Sequence, residues 1–455
     1  MIGASTLGVV PNRIYVTYRS AARAKSAVAP KNLLRNTTLA HNGGVQHVLA
    51  FASAADAQNA MHALKADPNV TSVDPVHTRR LASDSVANDA LVNNVDTWYN
   101  YRTHVDTGTA ATSAWGIAPT SPVKIAIIDT GIDETNTDIN SKTTFKESVI
   151  TNGSGQQVVT TGNGSVQDTD GHGTNVAGLA IAQVNNESDP ATGFDSTAFA
   201  GVAGVGNDIS LLSFKIFPDS TASCEDPSAD TSDEATAIDD AVAQGASVIS
   251  MSLGGPQSGG ADAGEEAAVE AAINAGVVVI AAAGNEYPSS DGNSVDYPAA
   301  YPGVIAVGAS AVTDSTANSY ASITADTVAS YSNSGATLVA PGGDAPDNND
   351  PDILHWIEGY DTSTGGAADL QCETGYPSST EQVCAVLFNG TSQATPQVSG
   401  TVALMESVHG GSKSITPTAA KTYLTSTAAA IPGISSTRQG AGLLNAYAAV
   451  TAAHL

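Results

Sequence analysis

The chain has 455 residues, with 17 Lys+Arg against 45 Asp+Glu and a formal net charge of −28. Only 14% of residues are charged, so the acidity comes from scarce cations, and 42% hydrophobic content supports a sizeable core and excludes general disorder. At roughly 150 residues per domain the length allows about three ordinary domains, or one large and one small; the charge opposes nucleic-acid binding that relies on net positive charge, and no run of 18 or more apolar residues occurs to suggest a membrane helix.

The first part reads as a small α+β unit. Ile14-Tyr15-Val16-Thr17-Tyr18 has strand-type residues, an Ala-rich helical stretch follows near 21–29, and Gln46-His47-Val48-Leu49-Ala50-Phe51 is a second strand. Ala54 to Asp67 is a helix, with Ala57, Ala60, Met61 and Leu64 at helical spacing. Asp67-Pro68-Asn69 stops it and Val70-Thr71-Ser72-Val73 returns as a strand. Arg79-Arg80 then opens a polar stretch to about residue 95, which places a boundary near residue 82. The first residues, Met1 to Gly8, show no basic n-region or apolar h-region of a secretory signal.

From residue 83 onward strands and helices alternate. Lys124-Ile125-Ala126-Ile127-Ile128 is a short apolar run, and Ile209 to Phe217 is another. Glu234 to Gln244 is helical, with Ala237, Ile238, Ala241 and Val242 on one face, and Glu265 to Asn274 is a second helix. Val248 to Leu253, Val277 to Ile280 and Val304 to Val307 are buried-type strands. Apolar strands separated by amphipathic helices predict an α/β domain with a mostly parallel sheet covered on both faces. Functional residues in such sheets sit just beyond the carboxyl ends of strands. Polar segments near 140–170, 185–200, 218–233 and 343–383 read as surface insertions.

Three segments carry chemistry. Asp129 ends the run Ile127-Ile128-Asp129-Thr130-Gly131, where a buried carboxylate needs a partner. His172 lies between glycines in Asp170-Gly171-His172-Gly173-Thr174-Asn175 at the start of an apolar helix. Ser392 lies in Asn389-Gly390-Thr391-Ser392-Gln393-Ala394-Thr395-Pro396, ahead of a helix running toward Met405. Pro396 is tolerated there as a first-turn residue, because first-turn amides need no intrahelical partner. Singly, each has an ordinary explanation: a strand-end cap, a structural histidine, a helix N-cap. Together, in the order Asp…His…Ser, they point to nucleophilic catalysis.

These motifs resemble those of the subtilisin-like serine proteases, the subtilases. The resemblance extends through Met251-Ser252-Leu253-Gly254-Gly255-Pro256, Ala281-Ala282-Ala283-Gly284-Asn285-Glu286, Tyr301-Pro302-Gly303-Val304-Ile305-Ala306-Val307-Gly308 and Val339-Ala340-Pro341-Gly342. It implies a subtilisin-like catalytic domain over residues 83–455 and an inhibitory prodomain, small and ferredoxin-like, over residues 1–82. It implies a serine endopeptidase made as an autoprocessed zymogen, secreted and monomeric, acting on proteins and peptides, and needing no cofactor for catalysis. His172 would take the Ser392 proton and pass it to the leaving amine, while Asp129 holds the imidazole. The Asn285 amide and the Ser392 N–H would receive the oxyanion. Substrate would bind as an extended strand along Ser252-Leu253-Gly254, with Gly284 on the opposing wall. The primary pocket reads as open and apolar, favouring large apolar residues, although Glu286 and the acidic loops would favour basic ones.

Two residues depart from the family's pattern: Asn175 stands where a second histidine is usual, and Gln393 where a methionine commonly follows the serine. By resemblance Asp138 matches a calcium ligand. The loop carrying Asn185, Asn186, Glu187 and Asp189 falls where the family's calcium loop lies, so structural Ca²⁺ is implied. Cys372 and Cys384 bracket a turn-like stretch and suit a disulfide in an oxidising compartment; three unpaired thiols is the equal alternative, and Cys224 is left over either way. Self-cleavage is expected near Leu81 or Ala82, beside Arg79-Arg80. Two rival functions stay in view. An inactive binding protein of this fold would resist serine-directed reagents, and a sedolisin-like peptidase would peak in strong acid. The charge is also uneven. Residues 1–82 carry nine Lys/Arg and three Asp, net +6, and residues 83–455 carry eight against 42, net −34. That asymmetry predicts an electrostatically assisted complex, loosened by salt or acid.

Overall fold

Period-two alternation near the N-terminus builds a small sheet with two covered faces. Its elements are β1 (Val9–Tyr18), α1 (Ala21–Ser26), β2 (Leu33–Thr38), β3 (Gln46–Phe51), α2 (Ala54–Lys65) and β4 (Val70–Leu81). The strands lie in the order β4-β1-β3-β2, all antiparallel, which is a ferredoxin-like arrangement. Ile14, Val16 and Tyr18 of β1 join Leu49 and Phe51 in packing on Ala57, Ala60 and Leu64 of α2. The alternate residues Tyr15, Val48 and Val76 cluster with Leu39. Ser53 caps α2 by accepting from the Asp56 amide at 3.2 Å. β2 carries little apolar signal and is not evident in the sequence pattern.

The computed structural model describes residues 9–26, 30–39, 45–81, 83–86, 98–105, 110–117, 121–182, 204–206, 209–219, 228–313, 326–346, 353–363, 372–373 and 383–454. The larger part continues with β5 (Ser83–Val86), α3 (Trp98–Arg102), β6 (Lys124–Asp129), α4 (Thr137–Asn140), β7 (Thr143–Thr151), β8 (Gln157–Thr161), α5 (His172–Ile181) and β9 (Ser210–Lys215). Next come β10 (Ser228–Asp230), α6 (Thr231–Ala243), β11 (Val248–Met251), β12 (Leu253–Gly254), α7 (Ala263–Asn274), β13 (Val278–Ala282), β14 (Ile305–Val312), β15 (Asp326–Val328) and β16 (Leu338–Pro341). The chain closes with β17 (Ile357–Asp361), β18 (Cys372–Glu373), β19 (Val383–Gly390), α8 (Thr391–His409), α9 (Pro417–Thr427), α10 (Ser436–Gln439) and α11 (Ala446–His454).

The main sheet runs β15-β14-β13-β11-β6-β9-β7-β8, with β16 also paired to β14. All pairs are parallel except β7–β8 and β14–β15 at the two ends. Alternation along β6 feeds both cores. Ile125 and Ile127 face the side of α5 and α8, while Ala126 and Ile128 face that of α6 and α7. This is the α/β sandwich the apolar strand runs imply.

Two expectations change. Residues 143–161, read as part of a surface insertion, form the hairpin β7–β8 that extends the main sheet. Val158 and Val159 of β8 are exposed, so this edge lacks the apolar signature of the central strands. The helix expected from Glu234 starts earlier, at Thr231, so the tail of the 218–233 segment is also structured. Residues 185–200 and most of 364–382 lie outside the described residues.

The small unit docks on the large one. Arg13 of β1 is buried and forms an ion pair with Asp230. It also donates to Thr151 Oγ1 at 2.8 Å and to Ser232 Oγ at 2.5 Å. Gly264, in the first turn of α7, leaves room for the Tyr15 ring. β4 then runs past its own sheet. Thr78, Arg79 and Arg80 pair antiparallel with Asp230, Ala229 and Ser228 of β10, and Arg80 and Leu81 pair with Gly254 and Leu253 of β12. Beyond residue 82, Ser83 to Val86 pair antiparallel with Gly390 to Leu387 of β19.

Candidate active site

The site forms where β6 ends and where α5 and α8 begin. Asp129 is the last residue of β6 and is fully buried. His172 opens α5, and its Nδ1 lies 2.7 Å from Asp129 Oδ1, which also accepts from the Thr130 amide at 2.8 Å. The turn before α5 is held by Asp168. Its carboxylate accepts from the amides of Asp170, Gly171 and Thr174 and from Thr174 Oγ1. Gly171 has φ +106°, and a β-carbon there would collide with the Asp361 carboxylate, so only glycine fits ahead of the histidine.

Burial alone pulls the His172 value down. The Asp129 charge and hydrogen bond, helped by Asp170 and Asp168, outweigh it, so the imidazole is a stronger base than usual. Asp170 titrates above its ordinary range because it is buried and close to Asp168. Asp361 is pushed well up, first by burial, then by the charges of Asp168, Asp170 and Asp133, against the opposing bond from the Thr362 amide.

Ser392 is the second residue of α8 and is fully buried. Its hydroxyl donates to the Ser252 carbonyl at 3.0 Å, and the Ser252 hydroxyl donates back to the Ser392 carbonyl at 2.9 Å. Pro396 accounts for the second bond. It is the sixth residue of α8, past the first turn where it was expected. Having no N–H, it leaves the carbonyl four residues back, that of Ser392, without its helical donor. Ser252 supplies that donor. His172 Nε2 has no hydrogen-bond partner among the described residues.

The Asn285 carboxamide is oriented by Thr391. Its Oδ1 accepts from the Thr391 amide at 3.0 Å and from Thr391 Oγ1 at 2.9 Å, which assigns its other end as the NH₂ donor. Thr391 Oγ1 in turn accepts from the Gly284 amide at 3.2 Å. The two departures from the family pattern meet each other: Gln393 Nε2 donates to Asn175 Oδ1 at 3.1 Å, and Asn175 Nδ2 to the Tyr360 carbonyl at 3.3 Å.

Gly254 and Gly284, expected to line the primary pocket, both lie beside Asp296, which is 2% exposed. A β-carbon on Gly254 would stand 3.1 Å from Asp296 Cβ, and one on Gly284 would stand 2.8 Å from Asp296 Cγ. No local signal marks Asp296, which lies in an irregular segment eleven residues after Asn285.

Asp138 lies in α4, and its carboxylate accepts a hydrogen bond from Tyr360 Oη. Asn186 and its loop lie outside the described residues, and among the described residues no three His, Cys, Asp or Glu side chains are set to hold a metal. Cys372 and Cys384 are directly opposed backbone partners in β18 and β19; their side chains, and Cys224, lie outside the described set.

The profile of the subtilase family matches residues 120–447. An extracellular protease of Xanthomonas campestris pv. campestris is 30% identical over 99% of this chain and 71% of that protein. Thermitase of Thermoactinomyces vulgaris is 32% identical over 78% of this chain and 98% of its own length. In fold the chain resembles fervidolysin from Fervidobacterium pennivorans, a keratinolytic enzyme related to subtilisin. The TM-score is 0.70 at 20% identity, over 97% of this chain and 61% of that one.

Proposed function

The chain belongs to the subtilase family of serine endopeptidases, and we propose that it hydrolyses peptide bonds through Asp129, His172 and Ser392. The observation that carries this reading is the 2.7 Å contact between buried Asp129 and His172 beside the first turn of α8, where Ser392 sits. A serine hydroxyl needs an adjacent base. As Ser392 Oγ leaves the Ser252 carbonyl, His172 Nε2 takes its proton, and the oxygen attacks the scissile carbonyl. Asp129 keeps Nδ1 protonated and stabilises the imidazolium. The tetrahedral oxyanion is met by the Asn285 NH₂, the Ser392 N–H and the positive end of α8. His172 then protonates the leaving amine, and water resolves the acyl-enzyme by the same route. Subtilases need no cofactor for this chemistry.

The second part of the proposal concerns residues 1–82, as an inhibitory prodomain released by self-cleavage. Strand pairing supports it. Leu81 is opposite Leu253 and Ser83 is opposite Gly390, two residues before Ser392, which supports self-cleavage near residue 82. Secretion fits the related Xanthomonas protein, which is an extracellular protease. The test is expression of the full chain beside Ser392→Ala. Active protein should begin at Ser83 and be labelled by a serine-directed phosphonate, and the variant should stay full-length and unlabelled. An active form beginning far from residues 78–100, or activity that survives Ser392→Ala, would refute the proposal.

A further inference from the structure

His172 and Ser392 open different helices, α5 and α8, and the first turn of α8 is only partly held by its own ladder. Pro396 brings no N–H to the Ser392 carbonyl, so the turn is fastened from outside. Ser252 donates to that carbonyl at 2.9 Å, and Asn285 Oδ1 accepts from the Thr391 amide at 3.0 Å. Gln397 Nε2 donates to the carbonyls of Gln393 and Pro341, at 2.9 and 2.7 Å. None of these bonds reaches α5. Farther along, the two helices meet through small residues: a β-carbon on Gly400 of α8 would stand 3.0 Å from the Ala180 carbonyl of α5. Such contact sets how closely the helices approach but, being non-directional, not how one is shifted along the other.

A directional link does cross between the helices at their catalytic ends. Asn175 lies one turn after His172 on α5, and Gln393 follows Ser392 on α8; both are fully buried. The Tyr360 carbonyl of β17 can only accept, so its 3.3 Å contact with Asn175 comes from Nδ2. That leaves Asn175 Oδ1 as the acceptor of the 3.1 Å bond from Gln393 Nε2. β17 approaches this closely because residue 359 is glycine: a β-carbon there would collide with Asn175 Nδ2. Gln393 Oε1 has no hydrogen-bond partner among the described residues, so the bond to Asn175 is the one polar tie of that side chain there.

We propose that Asn175 and Gln393 are positioning residues for catalysis. Their hydrogen bond, anchored on the Tyr360 carbonyl, sets the His172 imidazole in place relative to the Ser392 hydroxyl. The proposal rests on the triad reading above, and both residues act through the helices that carry the reacting groups. Breaking the bond would strand a buried amide on either side, so the pair specifies one setting of α5 against α8. A misplacement of about 1 Å between reacting groups can cost about 10²-fold in rate. The loss should fall on kcat and not on KM, because this geometry is used in the transition state.

The test compares enzyme matured from the full chain with Gln393→Met, Asn175→Leu and the double variant, by kcat, KM and melting temperature. Each single change should lower kcat tenfold or more, keep KM within about threefold and slow labelling by a serine-directed phosphonate in parallel. Each also leaves a buried amide unpaired and should lower the melting temperature. The double variant removes both amides. Its melting temperature should recover part of the way while kcat stays at least tenfold down. A merely structural pair would not give that split, and the double variant serves where a single one does not fold. An unchanged kcat in the single variants overturns the proposal, as does recovery of kcat together with the melting temperature. So does a double loss equal to the product of the single losses, which would mean that the two residues act independently. Unaltered enzyme that cuts no peptide, or activity that survives Ser392→Ala, overturns the triad reading and this proposal with it.

Discussion

Two groups of acidic side chains differ in how they are supported. At the catalytic edge, Asp129 and Asp168 are held by His172, backbone amides and a threonine hydroxyl of the same α/β fold. On the docking face, Asp230 depends on Arg13, a side chain from the small N-terminal sheet. Asp233 beside it accepts from Thr151 and Gln157 yet is still pushed up to about 7, by burial first and then by Asp230. The candidate catalytic edge is held within its own fold, whereas the docking face is held by a side chain of the N-terminal unit, which the proposed self-cleavage would set free.

The widest separation of the two regions should come from the triad. Ser392→Ala should lower kcat about 10⁶-fold and Asp129→Asn about 10⁴-fold, as for equivalent changes in related serine peptidases. Neither should alter docking of the N-terminal unit, which a titration with added residues 1–82 would read. The acid limb of kcat/KM should lie above the ordinary imidazole range, because the raised His172 value means the base is lost on acidification sooner. Asp129→Asn should move that limb down.

The converse change is Arg13→Ala. Removing one partner of a buried pair costs about 3–5 kcal/mol, so inhibition by added residues 1–82 should weaken by about 10²- to 10⁴-fold. The activity of the matured enzyme on peptides should not change. Equal loss of both would show that the docking face supports the active site after all.

The smallest effect lies away from both regions. Glu147 of β7 is pushed to about 8 by burial and by Asp240 of α6. A raised folded value means stability is full below the unfolded value near 4.5 and is lost as pH rises through about 8. Glu147→Gln should therefore raise the melting temperature at pH 9 more than at pH 6. An equal shift at both would remove the carboxyl pair as its cause.

The sequence by itself determined the candidate triad residues and most of the sheet. Asp129, His172 and Ser392 each sit in a local context, at a strand end, between glycines, or before a helix, and local context is what a linear pattern records. Apolar runs marked β6, β11 and β13 because both faces of those strands are buried. The hairpin β7–β8 escaped because one side of it is exposed and polar residues are tolerated there. Tertiary structure alone decided the rest. Ser252 completing the carbonyl freed by Pro396, Asn175 meeting Gln393, and β4 lying between β10 and β12 all join residues far apart in the chain. Asp296, beside Gly254 and Gly284, likewise arrives from an irregular segment with no periodicity, and only the packing of three backbone segments sets its position.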